Sequence, residues 1–153
     1  MQEVKTTLNG VSVTTAPTIL IVEDHDAVRA SLRDWLSATF PNLDCLEART
    51  GEEAVALVPG RPPALVLMDV ALPGMNGIEA TRRIKLDAPQ TQVVILSIHE
   101  DAHYQLDAAT AGASAYVPKR RMHVELIPII TKLLPFVTLL VLLALSGHGL
   151  IGV

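Results

Sequence analysis

Between Thr18 and Leu134 the chain alternates short unbroken aliphatic runs with longer stretches of helical period. Three of the runs are Ile19-Leu20-Ile21-Val22, Ala64-Leu65-Val66-Leu67-Met68 and Val93-Val94-Ile95-Leu96, and they end on Glu23-Asp24, Asp69 and Ser97. A strand with one face in water alternates apolar and polar side chains, whereas a strand covered on both faces is apolar throughout. These runs therefore predict buried strands, and Leu43 to Ala48 and Ala113 to Val117 predict two more. Between them Val28, Leu32, Trp35 and Leu36 repeat at helical spacing, with Asp26 as the expected N-cap and Pro41 as the stop. Further helices are expected over Glu52 to Val58, over the segment carrying Ile78 and Ile84, over Asp101 to Ala111, and over Val124 to Leu134. Parallel neighbours need long crossover connections. Strands alternating with helices thus predict a doubly wound α/β domain over residues 18–134, a five-stranded parallel sheet with helices on both faces.

A length of 153 residues suits one such domain with a full core. Phe, Trp and Tyr make up only 3% of the chain, so aliphatic side chains must fill that core. The one cysteine, Cys45, excludes an internal disulfide and a cysteine zinc cluster and fits a reducing compartment. With a net charge of −4 and only the short basic pairs Arg82-Arg83 and Arg120-Arg121, no nucleic-acid contact is expected from this segment. Residues 1–17 are polar and Thr-rich without the apolar stretch of a secretory signal, and are expected to be a loose leader.

The mean hydropathy of +0.39 is high, but it is concentrated. Leu133 to Val153 contains no Asp, Glu, Lys or Arg and supplies roughly three quarters of the whole-chain hydropathy sum. Residues 135–153 are therefore expected to form an apolar tail: a helix extension, a dimerisation segment or a membrane anchor. In the last case Lys119, Arg120, Arg121 and Lys132 would stay on the cytoplasmic side. Pro135 and Gly147, Gly149 and Gly152 shorten the usable helix and favour packing over spanning. The same glycines spell G-x-G-x-x-G, but that pattern needs a helix after it to meet a pyrophosphate, so no dinucleotide site is expected.

Open α/β sheets bind ligands beyond the carboxyl ends of their strands. That rule gathers Glu23, Asp24, Asp69, Ser97 and the neighbourhood of Lys119 at one edge. Three converging carboxylates repel one another unless a cation or protons offset them. An all-oxygen acidic site suits Mg2+. A carboxylate can also act as a nucleophile toward phosphorus, with a lysine offsetting the added charge and a serine hydroxyl bonding a phosphoryl oxygen.

The sequence resembles a two-component response-regulator receiver domain. The matching stretches are Ile19 to His25, Leu67 to Gly77, Val94 to Ser97 and Gly112 to Lys119, in order along the chain. The wording around His25, Ser97 to Glu100 and Gly112 to Lys119 is most similar to the LuxR-type (NarL/FixJ) transcriptional branch. The resemblance implies the flavodoxin-like receiver fold, with Asp69 as phosphoacceptor for a sensor histidine kinase. It also implies Mg2+ bound by Asp24, Asp69 and the backbone carbonyl of Ala71, with Glu23 acting through water. Lys119 and Ser97 would contact the phosphoryl group, and Tyr116 would be the switch aromatic. A phosphorylation-dependent homodimer and a cytoplasmic bacterial setting follow from the same likeness. Transcriptional output would run through a DNA-binding domain that this sequence does not display.

Three departures stand out. Glu23 replaces the commoner Asp, Lys119 is preceded by Pro118 and followed by Arg120, and Ala71 brings no polar side chain. Ala71 and His99 are candidate modulators of dephosphorylation. His25, His99, His103, His123 and His148 show no metal-ligand spacing and are expected on the surface or in loops, and Trp35 is expected to pack. The competing functions are a stand-alone interaction module and, less favoured, a phosphatase working through an aspartyl phosphate. Ala71 stands where haloacid-dehalogenase-like phosphatases carry a second acid. The expected chemistry is therefore phosphotransfer to itself and slow self-dephosphorylation, not enzymatic turnover.

Overall fold

The computed structural model describes residues 5–8, 11–14 and 16–137. Strands β1 (Lys5–Leu8) and β2 (Val11–Thr14) pair antiparallel, with Leu8 opposite Val11. Part of the expected loose leader is therefore a hairpin. The sequence carries its cause, since Asn9-Gly10 lies between two Thr/Val-rich segments and is a strong two-residue hairpin signal.

The sheet strands are β3 (Thr18–Val22), β4 (Asp44–Ala48), β5 (Leu65–Asp69), β6 (Gln92–Ser97) and β7 (Ala115–Pro118). They alternate with α1 (Asp26–Thr39), α2 (Gly51–Leu57), α3 (Gly77–Asp87), α4 (Ala102–Ala111) and α5 (Met122–Leu133). The order is β4-β3-β5-β6-β7, and every pairing is parallel. The expected α/β architecture is the observed one, with ends shifted by a residue or two. Chain direction reverses across the sheet beside β3, so the crevice between the β3 and β5 carboxyl ends is the topological switch point.

Burial on both faces explains the unbroken aliphatic runs. Leu20, Val22, Val66 and Met68 pack under α2, α3 and α4 in one core. Their neighbours Ile19, Ile21, Leu65 and Leu67 pack under α1 and α5 in the other. The α1/α5 core also takes in Leu134 and Val137, and Phe136 packs against it. The expected tail thus begins inside the domain rather than beyond it. Residues 138–153, and with them most of that tail, lie outside the described residues. Among the described residues no helix is long and apolar enough to cross a membrane.

Local signals set the ends of the elements. Thr50 caps α2 through a hydrogen bond from Glu53 N–H, and Asn76 caps α3 by accepting from the N–H groups of Ile78 and Glu79. The α1 cap differs from expectation, because His25 occupies the N-cap position without a side-chain bond and Asp26 is the first helical residue. Asp26 is turned to the Arg29 guanidinium instead, at 2.6 Å. Gly112 ends α4 at φ 102°, a left-handed conformation that costs glycine little.

Gly77 couples the fold to the sheet edge. A Cβ at this position would stand 2.0 Å from the carbonyl oxygen of Asp69. Helix α3 can start this close to the end of β5 only because residue 77 has no side chain. Gly77→Ala is therefore expected to cost at least about 2 kcal/mol by overpacking against backbone, read as a lowered urea midpoint. An unchanged midpoint would contradict this packing.

Candidate functional site

Each candidate side chain sits where a strand stops. Glu23 and Asp24 follow β3, Asp69 is the last residue of β5, Ser97 is the last of β6, and Lys119 directly follows β7. The parallel layout carries all five to one edge. Lys119 closes the group: its Nζ donates to Glu23 Oε2 at 2.9 Å and to Asp69 Oδ2 at 3.1 Å. Both acceptors are buried, Glu23 at 1% and Asp69 at 4% exposure.

Burial alone would lower the Lys119 pKa, but the hydrogen bond it donates to Glu23 and the charge of Asp69 outweigh it, and the ammonium is held above its ordinary value. Asp69 Oδ1 accepts from the backbone N–H of Ala71 at 3.1 Å, which fixes the carboxylate from its other side. Lys119 itself is placed by a 3-10 turn, Lys119–Arg121. That turn is tied to the β6–α4 loop by Arg120, whose Nε and Nη2 bond the two oxygens of Glu100 at 2.7 and 2.6 Å.

Asp24 is the odd member of the group. Its Oδ1 is buried and has no hydrogen-bond partner; His25 Nδ1 stands 3.5 Å away without hydrogen-bond geometry. A buried carboxylate oxygen without a donor is costly and calls for a cation. Glu23, Asp24 and Asp69 bring three negative charges, against which Lys119 supplies one positive charge. The unpaired oxygen, the excess negative charge and the carboxylate donor set fit a hard divalent ion.

His25 is exposed and lies in the loop between β3 and α1, as expected of the histidines, but it also stands beside the carboxylates. It donates its backbone N–H to Glu23 Oε1 at 3.2 Å, and its ring nitrogen, Asp24 and Glu23 offer ligand atoms within 4.8 Å of one another.

Ser97, His99 and Tyr116 form a second group, apart from the lysine bridge. Ser97 Oγ accepts from the backbone N–H of His99 at 3.0 Å, so the hydroxyl is turned to its own loop. The Tyr116 hydroxyl donates to the carbonyl of His99 at 2.6 Å, and the His99 ring stacks on Tyr104 with centroids 4.6 Å apart. His99 is visible in the sequence two residues after Ser97, whereas nothing there marks the contacts of Tyr104, Arg120 and Arg29. Arg29 is buried and donates to the carbonyl oxygen of Glu23 at 2.9 Å. An arginine four residues into a helix reads as solvated, and nothing in its spacing marks it otherwise.

Residues 19–131 match the response regulator receiver domain. The chain belongs to that family. Among curated relatives, the receiver domain is 39% identical over 101 residues to the transcriptional activator protein ExaE of Pseudomonas putida, covering 66% of this chain and 47% of that protein. It is 40% identical over 109 residues to the DNA-binding transcriptional activator DevR/DosR of Mycobacterium tuberculosis, covering 71% and 50%. The chain therefore spans about half the length of these relatives. Among solved structures, a LuxR-family two-component response regulator from Aurantimonas superposes with a TM-score of 0.72 at 35% identity, covering 77% of this chain and 84% of that one. The response regulator TrrA of Thermotoga maritima, solved in complex with Mg2+-BeF, gives 0.68 at 28% identity, covering 76% and 98%. A receiver domain is a signalling domain.

Removing the lysine leaves two buried carboxylates facing each other. Lys119→Met is expected to lose about 2–3 kcal/mol of stability at neutral pH, discounted because Lys119 is 23% exposed, and Asp69→Asn added to it should recover part of that loss. Because the folded-state pKa is raised, the lysine contribution is complete below the ordinary value of 10.5 and disappears as pH climbs through the raised value. The stability gap between wild type and Lys119→Met should stay level from roughly pH 7 to 10 and close above it. Urea titrations of both proteins across that range would show it.

Proposed function

We propose that the chain is a Mg2+-dependent phosphoacceptor that switches a partner surface. The observation that carries this is the ammonium of Lys119 spanning buried Asp69 and Glu23, beside an Asp24 oxygen that has no donor. A carboxylate held this way is oriented, with a cation ready to balance the charge it acquires.

In the proposed reaction an oxygen of Asp69 attacks the phosphorus of a phosphohistidine on a sensor kinase. The P–N bond breaks, the ring nitrogen leaves with the electron pair and the histidine takes up a proton from solvent to become neutral imidazole, and an aspartyl phosphate remains. Asp24, Asp69 and the carbonyl of Ala71 would hold Mg2+, with Glu23 reaching it through water. Bound there, Mg2+ would supply charge neutralisation for the phosphoryl oxygens. Lys119 stays protonated throughout and shifts its donation from carboxylate to phosphoryl oxygen.

The new phosphoryl oxygens offer the Ser97 hydroxyl a partner, and phosphate carries nearly two charges at neutral pH. Ser97 is bonded to His99, and Tyr116 holds the carbonyl of that same residue. Movement of one hydroxyl therefore disturbs the seat of the other, which supports Ser97 and Tyr116 as the switch pair. Homodimerisation through the altered face, and control of transcription of the kind named for ExaE and DevR/DosR, complete the proposal. Ala71 gives no second acid for turnover, which supports a single phosphorylation over phosphatase activity.

Incubation with Mg2+ and a small acyl phosphate should add one phosphoryl group per chain, sensitive to hydroxylamine, as read by intact-protein mass spectrometry. Asp69→Asn or chelation should abolish it, and Asp24→Asn should weaken Mg2+ binding by more than about tenfold. Sustained release of phosphate from many donors would instead support the phosphatase, and no labelling at all would leave an interaction module.

A further inference from the structure

Glu23 and Asp24 do not lie on a strand or a helix. They occupy the short turn between β3 and α1, whose conformation must be imposed from outside. Arg29, one turn into α1, is 7% exposed, and its guanidinium fork makes three hydrogen bonds. Nη1 donates to the Glu23 carbonyl at 2.9 Å, Nη2 to Asp26 Oδ1 at 2.6 Å, and Nε to Glu47 Oε1 at 3.1 Å. Glu47 lies on β4, and its second oxygen accepts from Arg33 Nη1 at 3.1 Å. The fork therefore links the end of β3, the first turn of α1 and the edge strand.

Packing alone does not explain this residue. A buried charge is costly, and an apolar side chain of similar volume would fill the same space at less cost. The Nη1 bond goes to the main chain of the turn that carries both candidate metal carboxylates. A planar guanidinium presents its donors in one rigid fork, whereas the donors of an ammonium on a flexible stem rotate freely and fix the acceptors' geometry less tightly. Arg33 provides an internal comparison, because it holds the same Glu47 carboxylate and makes no bond to the turn.

We propose that Arg29 is the positioning residue of the metal site: by gripping the Glu23 carbonyl it holds the turn so that the carboxylates of Glu23 and Asp24 are presented together. The inference rests on the Mg2+ reading given above. Groups that orient metal ligands without touching the ion commonly change affinity by about 10–100-fold when removed.

The test is Mg2+ titration by calorimetry on wild type, Arg29→Met, Arg29→Lys and Arg33→Met, with the urea midpoint of each taken alongside. Amide chemical shifts of Asp24 and His25 without metal give a readout independent of loading. Arg29→Met is expected to weaken Mg2+ by about tenfold or more, Arg29→Lys by less, and Arg33→Met by under about twofold, even where Arg33→Met lowers the midpoint. The Asp24 and His25 amides should move in both Arg29 variants and hold still in Arg33→Met. Should Arg29→Met fail to fold, Arg29→Lys is the variant read. Arg29 variants that lose stability but bind Mg2+ as wild type does, with unmoved amides, would reduce Arg29 to a structural residue and overturn the inference. A wild type that binds no Mg2+ would instead bring down the metal reading itself, and the inference with it.

Discussion

One ammonium group joins residues far apart in the sequence. Lys119 is 96 positions from Glu23 and 50 from Asp69, yet it bonds both within 3.1 Å. Without it, two buried carboxylates would share a small space with nothing to balance them, and the ends of β3 and β5 would repel. The sheet delivers the three groups, but the lysine makes their convergence tolerable. Its placement depends in turn on a short turn clamped by Arg120 and Glu100, two exposed residues whose pairing matters through the geometry it enforces.

That arrangement follows from parallel pairing. A parallel sheet must be covered on both faces, so its strands become aliphatic along their length and polar only where they emerge. The first polar residue after each run is thus at the same edge as every other. Val22 hands over to Glu23, Met68 to Asp69 and Leu96 to Ser97, polar residues that are still buried where their strands end.

For this reason the fold and the main site residues were legible in the sequence. Continuous apolar runs gave strand positions to within a residue or two, and the strand-end rule then collected Glu23, Asp24, Asp69, Ser97 and Lys119. What stayed hidden depended on side-chain direction or on contacts between distant elements. Arg29 carries no signal in the sequence, because its charge says nothing about the carbonyl it finds. Ser97 was placed at the right edge, but its hydroxyl faces His99, a choice made by the loop and not by the strand. Asp26 was read as a cap because its type suits one, and the neighbouring Arg29 took its carboxylate instead. The hairpin of β1 and β2 is hidden by a Thr-rich polar composition that suggests a loose leader, although the Asn9-Gly10 pair is a hairpin signal.

Strands that all point one way also require helices that all return the other way. Helices α1, α3 and α5 therefore begin at the edge where the carboxylates collect, and each peptide array turns its N-terminal, partially positive end toward that edge. The site thus carries a built-in electrical polarity supplied by backbone rather than side chains. It is fixed by topology, it does not titrate, and no single substitution can remove it. An anion arriving at this edge meets a field that was set when the chain folded.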